Sequence, residues 1–274
     1  MATEETSERH IRSVSGKHNP LLKELRFACT RGLTENGCFV AEGVRMIEEA
    51  VRGGLHLRAI FFSESARAPK ERLLSQISKR VDVVELPDKL FRDMVDSESP
   101  QGVAALVERK KTALDGVLLS KPQPLIAVAA GLQDPGNLGT LIRSAEAFGA
   151  SGVLIGEGTV SPFNPKSIRA TAGSIFRVSL VEGQLKDFIA ALRERAIRLV
   201  ATSSHKGTPV TAFDFRRPAA VFVGNEGAGL AHELLQQMDE LVSIPQAPEV
   251  ESLNAGVAAS VVLYEASRQR GAKP

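Results

Sequence analysis

Three stretches in the C-terminal half of the chain combine glycines with polar side chains that could hold a ligand. They are residues 131–150 (GLQDPGNLGTLIRSAEAFGA), 222–230 (FVGNEGAGL) and 249–267 (EVESLNAGVAASVVLYEAS). Glycine lets a backbone approach a ligand closely, and carboxylate, amide and guanidinium groups can form hydrogen bonds and stabilise charge. Metal chemistry is not indicated, because no metal-ligand spacing of His and Cys occurs in the chain.

The first stretch predicts a turn followed by a helix. The sequence DPG at 134–136 is typical of a turn, and Asn137 has a side chain suited to capping the helix that follows. Arg143 lies about one and a half turns into that helix. A single arginine on a helix often extends into solvent, so this stretch alone allows either a functional or a solvated Arg143.

The second stretch holds Glu226 among three glycines at the end of a strand. Its order, G-x-x-G-x-G, differs from the dinucleotide-binding order G-x-G-x-x-G, and the chain contains no G-x-x-x-x-G-K-[ST] sequence. A ligand-binding loop and a tight turn with a surface glutamate are both compatible with this pattern.

The third stretch predicts a polar loop that runs into a helix. Ser252 and Asn254 are residue types that cap helix starts. Val257, Val261 and Tyr264 follow at the spacing of one helical face, which predicts that this face is buried. Small residues lie among them: Ala255, Gly256, Ala258, Ala259 and Ser260. They would allow another backbone or a flat ligand to approach the helix closely.

These stretches belong to an α/β domain with a parallel sheet. Apolar runs that predict strands alternate with helical patterns, at residues 124–132, 152–156, 176–182, 197–203, 219–224 and 240–245. Strands that are apolar almost throughout and are separated by helices favour a parallel sheet covered on both faces. Ligands of such sheets bind beyond the carboxyl ends of the strands, which is where the three polar loops lie.

A smaller α/β domain precedes this one. Helices are predicted at 20–30 and 69–80, and strands at 57–63, 81–87 and 102–108. Residues 109–123 are charged and then punctuated by proline, as is typical of a domain boundary. We therefore expect a first domain at 1–112, a linker at 113–123 and a second domain at 124–274.

Positive charge is concentrated at residues 9–31, where six Lys and Arg residues stand against Glu24 alone. Such an excess could hold phosphate groups. A solvated helix face explains the same charges equally well. The net charge of the whole chain, +2, does not decide between the two interpretations.

Composition argues against several classes of protein. With 5% aromatic residues and no Trp, a platform of stacked aromatics for single-stranded nucleic acid is not expected. Cys29 and Cys38 do not make a disulfide framework. No apolar run of about 18 residues predicts a membrane span, and the polar first residues do not resemble a signal peptide. We expect a cytoplasmic protein without a metal ion.

The order and separation of the polar stretches carry a resemblance to a known family. DPGNLGTLIRSAEAFG, GNEGAGL and IPQAPEVESLNAGVAASVVLYE resemble the three motifs of the SpoU (TrmH-type) branch of the SPOUT RNA methyltransferases. Through FVAEGVRMIEEAV, the first domain resembles the L30e-like substrate-binding domain of that family. The resemblance implies a C-terminal parallel α/β sheet with a trefoil knot, and homodimers with the active site at the subunit interface.

The activity implied by the resemblance is methyl transfer from S-adenosyl-L-methionine to a ribose 2′-hydroxyl of RNA. Two-domain members of this kind act on ribosomal RNA. A transfer-RNA 2′-O-methyltransferase and a catalytically silent RNA-binding protein of the same fold stay open as alternatives.

Carried over by motif, the family's site residues form two groups in this chain. The catalytic group is Arg143, Asn137, Glu226, Ser252 and Asn254. The cofactor-binding group is Thr202, Gly224, Ile244 and Leu253. In the family, the arginine is proposed as the base, but a guanidinium is a permanent cation in proteins. We expect it instead to hold the adjacent phosphate and stabilise the developing alkoxide, with Asn137 and Glu226 orienting it.

The third motif departs from the family at two positions. The family commonly has SLNVS where this chain has SLNAG, so that Ala255 and Gly256 replace a valine and a serine. The asparagine is kept, and activity is expected to survive. Any contact made by the second serine hydroxyl is in doubt.

Overall fold

The chain divides into two structural units, Met1–Lys110 and Lys111–Pro274. The computed structural model describes residues 11–16, 19–95, 100–204 and 206–271. Arg9 and Lys17 of the basic segment lie outside the described residues.

The first unit is built on a mixed sheet. Its strands are β1 (Ile11–Ser13), β2 (Cys38–Glu42), β3 (Leu57–Ser63), β4 (Asp82–Leu86) and β5 (Val103–Glu108). Its helices are α1 (Pro20–Arg31), α2 (Val44–Arg52), α3 (Arg67–Leu74) and α4 (Asp88–Met94). The sheet order is β1-β4-β3-β5-β2. Strands β1, β4 and β3 are parallel, whereas β5 is antiparallel to both β3 and β2.

The helix predicted at 20–30 is confirmed as α1. Pro20 lies in its first turn, and the side chain of Asn19 caps it by accepting a hydrogen bond from the backbone N–H of Leu21 at 2.9 Å. This is the usual start of a helix, because proline has no N–H to leave unsatisfied there. The helix predicted at 69–80 is shorter than expected, since α3 ends at Leu74 and the chain then turns.

The second unit is built on a seven-stranded parallel sheet. Its strands are β6 (Leu125–Ala129), β7 (Gly152–Gly156), β8 (Leu180–Gly183), β9 (Arg198–Ser203), β10 (Thr208–Pro209), β11 (Ala219–Val223) and β12 (Glu240–Ser243). Its helices are α5 (Leu114–Leu118), α6 (Pro135–Ala147), α7 (Pro165–Ala170), α8 (Leu185–Glu194), α9 (His232–Leu235) and α10 (Ala255–Gln269). The order is β10-β12-β9-β11-β6-β7-β8, and all pairs are parallel.

Helices cover this sheet on both faces, as the apolar strands predicted. Successive residues of β6 point to opposite faces. Ala127 lies in the core cluster that includes α6 and α10, whereas Val128 lies in the cluster that includes α8 and α9. The alternation of helices and buried strands was therefore enough to predict the layer arrangement.

The second unit differs from expectation at three places. Residues 113–123, predicted as a linker, contain α5, which buries Val117 and Leu118 in the core. The strand predicted at 176–182 begins only at 180, because Ser174–Phe176 forms a 3₁₀ turn that buries its apolar side chains. The short strand β10 was not predicted, since two residues give no periodicity to detect.

Helix α6 packs closely against two other helices, and a glycine lies at each contact. At Gly139, a Cβ atom would lie 2.7 Å from the carbonyl oxygen of Ser167 and would clash with Ala170 of α7. At Gly256 of α10, a Cβ would lie 3.0 Å from Cβ of Thr140. The hydroxyls of Ser144 and Ser260 meet at 2.7 Å across the same contact between α6 and α10. Gly256 and Ser260 therefore serve helix packing.

We expect Gly139→Ala to lower the free energy of unfolding by about 1–3 kcal/mol, because the added methyl group overpacks a contact with backbone atoms. Gly116→Ala in α5 is the matched control, since its Cβ would come no closer than 3.4 Å to Thr112. There, better helix propensity should leave stability unchanged or raise it by up to about 1 kcal/mol. Urea unfolding followed by circular dichroism measures both. Equal stability of the two variants would contradict this account of α6.

Candidate active site

The carboxyl ends of β9, β11 and β12 form one edge of the second unit's sheet. Thr202 lies opposite Val242 in the pairing of β9 with β12, and Ala201 lies opposite Phe222 in the pairing of β9 with β11. The loops that follow these strands surround an opening that we call the strand-edge cleft. Its space, including the open mouth, is about 740 Å³.

The strand-edge cleft collects most of the predicted site residues. Its lining includes the whole cofactor-binding group, Thr202, Gly224, Ile244 and Leu253, together with Glu226 and Ser252 of the catalytic group. Asn137, Arg143 and Asn254 are not part of the lining. The sequence placed these residues in three distant segments, and the parallel strand register brings the segments to one edge.

The glycine-rich loop is folded back on itself at the mouth of the cleft. The backbone groups of Asn225 and Gly229 exchange two hydrogen bonds of 2.9 Å. A Cβ at Gly224 would lie 2.5 Å from the carbonyl oxygen of Gly229, so only glycine allows this close return. The loop is therefore a preformed wall of the cleft.

Asn225 organises this loop, and the sequence analysis did not identify it. Its side-chain oxygen accepts hydrogen bonds from the backbone N–H groups of Gly227 and Ala228, both at 3.0 Å. Its side-chain nitrogen donates to the carbonyl oxygen of Gly131 at 3.2 Å. An asparagine at the start of a glycine-rich segment is a signal for such a turn and could have revealed this role.

Glu226 ties the glycine-rich loop to the start of α6. Its Oε1 accepts hydrogen bonds from the side chain of Asn137 at 2.8 Å and from the backbone N–H of Asp134 at 3.0 Å. Its Oε2 accepts one from the backbone N–H of Gln133 at 3.1 Å. Partial burial alone would raise the pKa of Glu226, but these hydrogen bonds outweigh it and lower the pKa below its usual value.

The helix cap at this junction is Asp134, so the prediction that Asn137 would cap the helix is wrong. Helix α6 begins at Pro135, and the side chain of Asp134 accepts a hydrogen bond from the backbone N–H of Asn137 at 2.8 Å. Asn137 lies in the first turn, where its own side chain is buried and turned to Glu226. Both residue types can cap a helix, and the tertiary contact decided which of them does.

Arg143 lies apart from this cluster. Its side chain is exposed and forms no hydrogen bond or ion pair with any residue that the structure describes. It follows Asn137 by six residues, which places it about 240° further around the helix. Within one chain, Asn137 and Glu226 therefore do not orient Arg143 by direct contact, contrary to the expectation.

The third motif supplies a helix cap and a packing surface. Asn254 caps α10 by accepting a hydrogen bond from the backbone N–H of Val257 at 3.1 Å, whereas Ser252 lines the strand-edge cleft. The predicted burial of the Val257, Val261 and Tyr264 face is wrong within one chain. Val257 is 47% exposed and Tyr264 is 54% exposed. The opposite, small-residue face is buried because it allows closer contact with α6.

This chain has SLNAG where the family commonly has SLNVS, and the packing of α10 gives a physical reason for the last residue, Gly256. Gly256 packs on α6, where a side chain's Cβ would lie 3.0 Å from Cβ of Thr140 and 3.3 Å from Cα of Asn137. These separations are tighter than ordinary van der Waals contacts. The glycine thus lets α10 approach the turn of α6 that carries Asn137.

Gln246 is a second residue that the sequence analysis missed. It lines the strand-edge cleft, and its side-chain nitrogen donates to the carbonyl oxygen of Ser204 at 3.2 Å. Its side-chain oxygen is buried without a hydrogen-bond partner. A buried acceptor left unpaired costs about 1–3 kcal/mol, so this atom marks a place where a ligand's donor group would be favoured.

None of the helices in the described part of the chain is long and apolar enough to cross a membrane. Among the same residues, no cluster of three or more His, Cys, Asp or Glu side chains could hold a metal ion.

Both units match known families. Residues 124–264 match the SpoU rRNA Methylase family, and residues 19–105 match the MRM3-like substrate binding domain. The chain is 35% identical over 253 residues to the 23S rRNA (uridine(2479)-2′-O)-methyltransferase of Streptomyces viridochromogenes, covering 86% of this chain and 85% of that protein. It is 30% identical over 231 residues to the 23S rRNA (guanosine(2553)-2′-O)-methyltransferase RlmP of Bacillus subtilis, covering 84% and 89%.

Solved structures give the same result. An rRNA methyltransferase from Sinorhizobium meliloti superposes with a TM-score of 0.82 at 30% identity, covering 94% of this chain and 98% of that one. The SpoU methyltransferase AviRb from Streptomyces viridochromogenes, in complex with the cofactor AdoMet, superposes with a TM-score of 0.81 at 30% identity, covering 94% and 100%.

We expect Glu226→Gln to destabilise the protein at neutral pH, because an amide nitrogen in place of one carboxylate oxygen cannot accept the hydrogen bonds now made there. A carboxyl group whose pKa is lowered by folding stabilises the protein above its unfolded pKa, and this contribution is lost as pH falls through the folded pKa. The difference in unfolding free energy between wild type and Glu226→Gln should therefore shrink as the solution is made acidic.

Urea unfolding at a series of pH values measures this difference. Glu233→Gln is the matched control, since Glu233 lies in the first turn of α9 with no hydrogen bond to its carboxylate among the described residues. A pH-independent difference for Glu226→Gln would show that its carboxylate does not hold the junction.

Proposed function

This chain belongs to the SpoU rRNA methylase family and is an S-adenosylmethionine-dependent RNA 2′-O-methyltransferase, and we propose that it methylates a ribose of ribosomal RNA at the strand-edge cleft. The observation that carries the proposal is the convergence of the cofactor-binding group and Glu226 on one cleft. A ribosomal RNA substrate is in keeping with the cytoplasmic location expected from the sequence.

The residues of the cleft fit S-adenosylmethionine. Gly224 and Gly229 keep the loop wall free of side chains, so that a flat ring system can lie against backbone. The unpartnered oxygen of Gln246 can accept a hydrogen bond from an amino or hydroxyl group, and the cofactor carries both. Thr202, Ile244 and Leu253 would hold it from the ends of β9 and β12 and from the third motif.

The protein's part in the reaction is positioning and charge stabilisation. S-adenosylmethionine supplies a methyl group on a sulfonium, which is a good leaving group without a metal ion. The 2′-oxygen must be held in line with that methyl group and must lose its proton. Arg143, as a permanent cation, would hold an adjacent phosphate and stabilise the negative charge that develops on the oxygen.

Ser252 and Asn254 flank the cleft at the start of α10. Ser252 is exposed in the lining and has a free hydroxyl to offer a ribose. Asn254 uses its side-chain oxygen for the helix cap, so its amide nitrogen stays available for substrate. Glu226 and Asn137 would act by holding the loop and α6 in place rather than by touching the ribose.

The first unit would bind the RNA. Its match to an MRM3-like substrate binding domain supports this role, and its basic first helix supplies cations for phosphate contacts. The choice between ribosomal and transfer RNA would be settled by mapping 2′-O-methyl sites in a strain that lacks the protein.

The active form would be a homodimer with Arg143 contributed across the interface. Val257, Val261 and Tyr264 leave an apolar stripe on α10. The ring of Tyr264 contacts that of Phe148, at the C-terminal end of α6, with centroids 5.7 Å apart. The stripe therefore continues onto the helix that carries Arg143, and a second copy covering it would meet both. The trefoil knot of the family also stays a prediction for this sheet.

We expect Arg143→Ala to slow methyl transfer to ribosomal RNA strongly and to leave S-adenosylmethionine binding intact, because Arg143 is not part of the cleft lining. Loss of one stabilising group of this kind slows a reaction by about 100- to 1,000-fold. Lys186→Ala, which removes an exposed cation from α8, is the control and should transfer normally.

Transfer of radiolabelled methyl groups and calorimetric titration with S-adenosylmethionine measure the two quantities. Normal transfer by Arg143→Ala would overturn the proposed role. Failure of the wild-type protein to bind S-adenosylmethionine would overturn the proposed function.

We expect Val257→Asp to convert a dimer into monomers that transfer no methyl group, since a charge would be buried in an apolar contact. The single chain should stay folded, because Val257 is exposed within it. Analytical ultracentrifugation measures the association, and circular dichroism checks the fold. An active monomer would contradict an active site shared between subunits.

A further inference from the structure

Helix α1 of the first unit carries an exposed aromatic ring in a line of cations. Lys23, Phe27 and Arg31 follow one another at four-residue intervals, so they are neighbours along one side of the helix. Arg26 and Thr30 form the adjacent line. All five side chains are exposed, and we call this surface the α1 outer face.

Phe27 is unusual because it lies among cations, not because it is exposed. Its side chain is 45% exposed, and single exposed hydrophobic residues are common on protein surfaces. The buried side of α1 already has its apolar set, Leu22, Leu25, Ala28 and Cys29. The core of the first unit therefore does not require an aromatic residue at position 27.

No described residue neutralises the cations of the α1 outer face. Lys23, Arg26 and Arg31 form no ion pair with any residue that the structure describes. The acidic residue of α1, Glu24, is turned to the other side. There its carboxylate accepts hydrogen bonds from Thr34 at 3.1 Å and Asn36 at 3.0 Å.

Arg58 completes the surroundings of Glu24. Its guanidinium Nε lies 3.2 Å from the second carboxylate oxygen of Glu24, as an ion pair. Arg58 thus balances the single negative charge of the helix, and three positive charges on the outer face have no ion-pair partner among the described residues.

We propose that the α1 outer face binds a single-stranded segment of the RNA substrate, with phosphates on Lys23, Arg26 and Arg31 and one base stacked on Phe27. Cations that track a backbone beside an aromatic ring that stacks a base are the combination used for single-stranded nucleic acid. Bases in a duplex are already stacked and paired, so the ring selects an unpaired one. The low aromatic content argues against a row of stacked bases, but one ring suffices for one base.

This inference rests on the proposed function, because it names the RNA contact of the first unit. The α1 outer face would select RNA that has an unpaired nucleotide away from the reacting ribose. The cleft itself does not supply this preference.

Fluorescence anisotropy with a short single-stranded RNA of mixed sequence, and with a duplex of the same length, tests the proposal over a series of KCl concentrations. Phe27→Ala should weaken binding of the single strand roughly tenfold while leaving duplex binding and the salt dependence unchanged. The triple variant Lys23→Ala, Arg26→Ala, Arg31→Ala should lower the slope of log affinity against log salt by about 2 for the single strand.

Two controls accompany these variants. Phe27→Tyr keeps the ring and should bind as the wild type does. The double variant Lys79→Ala, Arg80→Ala removes exposed cations that follow α3 and should leave the salt slope unchanged. Because Phe27 is half exposed, its replacement should not unfold the unit, and circular dichroism checks this.

Single-strand affinity of Phe27→Ala equal to that of the wild type, in a protein that still methylates ribosomal RNA, would overturn the proposed contact and leave the proposed function standing. A wild-type protein that neither binds S-adenosylmethionine nor methylates RNA would overturn the function and the contact together. The Lys79→Ala, Arg80→Ala control could instead lower the slope of log affinity against log salt as much as the triple variant does. The charge effect would then be general, which would contradict the assignment to α1.

Discussion

The carboxylate of Glu226 accepts hydrogen bonds from Asn137 in the first turn of α6 and from the backbone N–H groups of Gln133 and Asp134 just before that turn. The geometry of the candidate active site depends on this contact. It joins the loop after β11 to the loop after β6, two strands that are neighbours in the sheet. A negative charge is favourable there, because the N–H groups at the start of a helix have no partners in the helix itself. The contact therefore holds one wall of the cleft and the helix of Arg143 in a fixed relation.

Each side of α6 has a separate task. Asn137 is directed to Glu226, Gly139 lies against α7, and Thr140 and Ser144 lie against α10. The side that carries Arg143 is exposed in a single chain. A helix held so closely on its other sides is a rigid support, and a side chain projecting from a rigid support can be placed accurately.

The two units contribute different physical properties to RNA modification. The second unit offers a cleft made of backbone and small side chains, suited to a cofactor of fixed shape. The first unit offers an exposed ring on α1 beside cations that pair with no described residue, which suits a flexible polyanion with accessible bases.

Much of the second unit was predictable, because its strands are apolar almost throughout and its helices have clear starts. The polar stretches were recognised as one site through their order along the chain. The position of the cleft, beyond the carboxyl ends of the strands, was also predictable, because ligands of parallel sheets bind there and polar loops follow these strands. Asn225 and Gln246 escaped notice because a single amide in a loop has many possible partners, and only the folded chain shows which of them it meets.

By itself, the sequence determined the parallel sheet, the three polar segments and the residue types available at their ends, because periodicity and turn chemistry are local properties. Tertiary structure decided which residue caps α6, since Glu226 is 89 positions from Asn137 in the chain and only the sheet brings them together. It also decided which face of α10 is buried. The spacing of Val257, Val261 and Tyr264 defined a face, but the closer packing allowed by Gly256 and Ser260 turned the other face to the core.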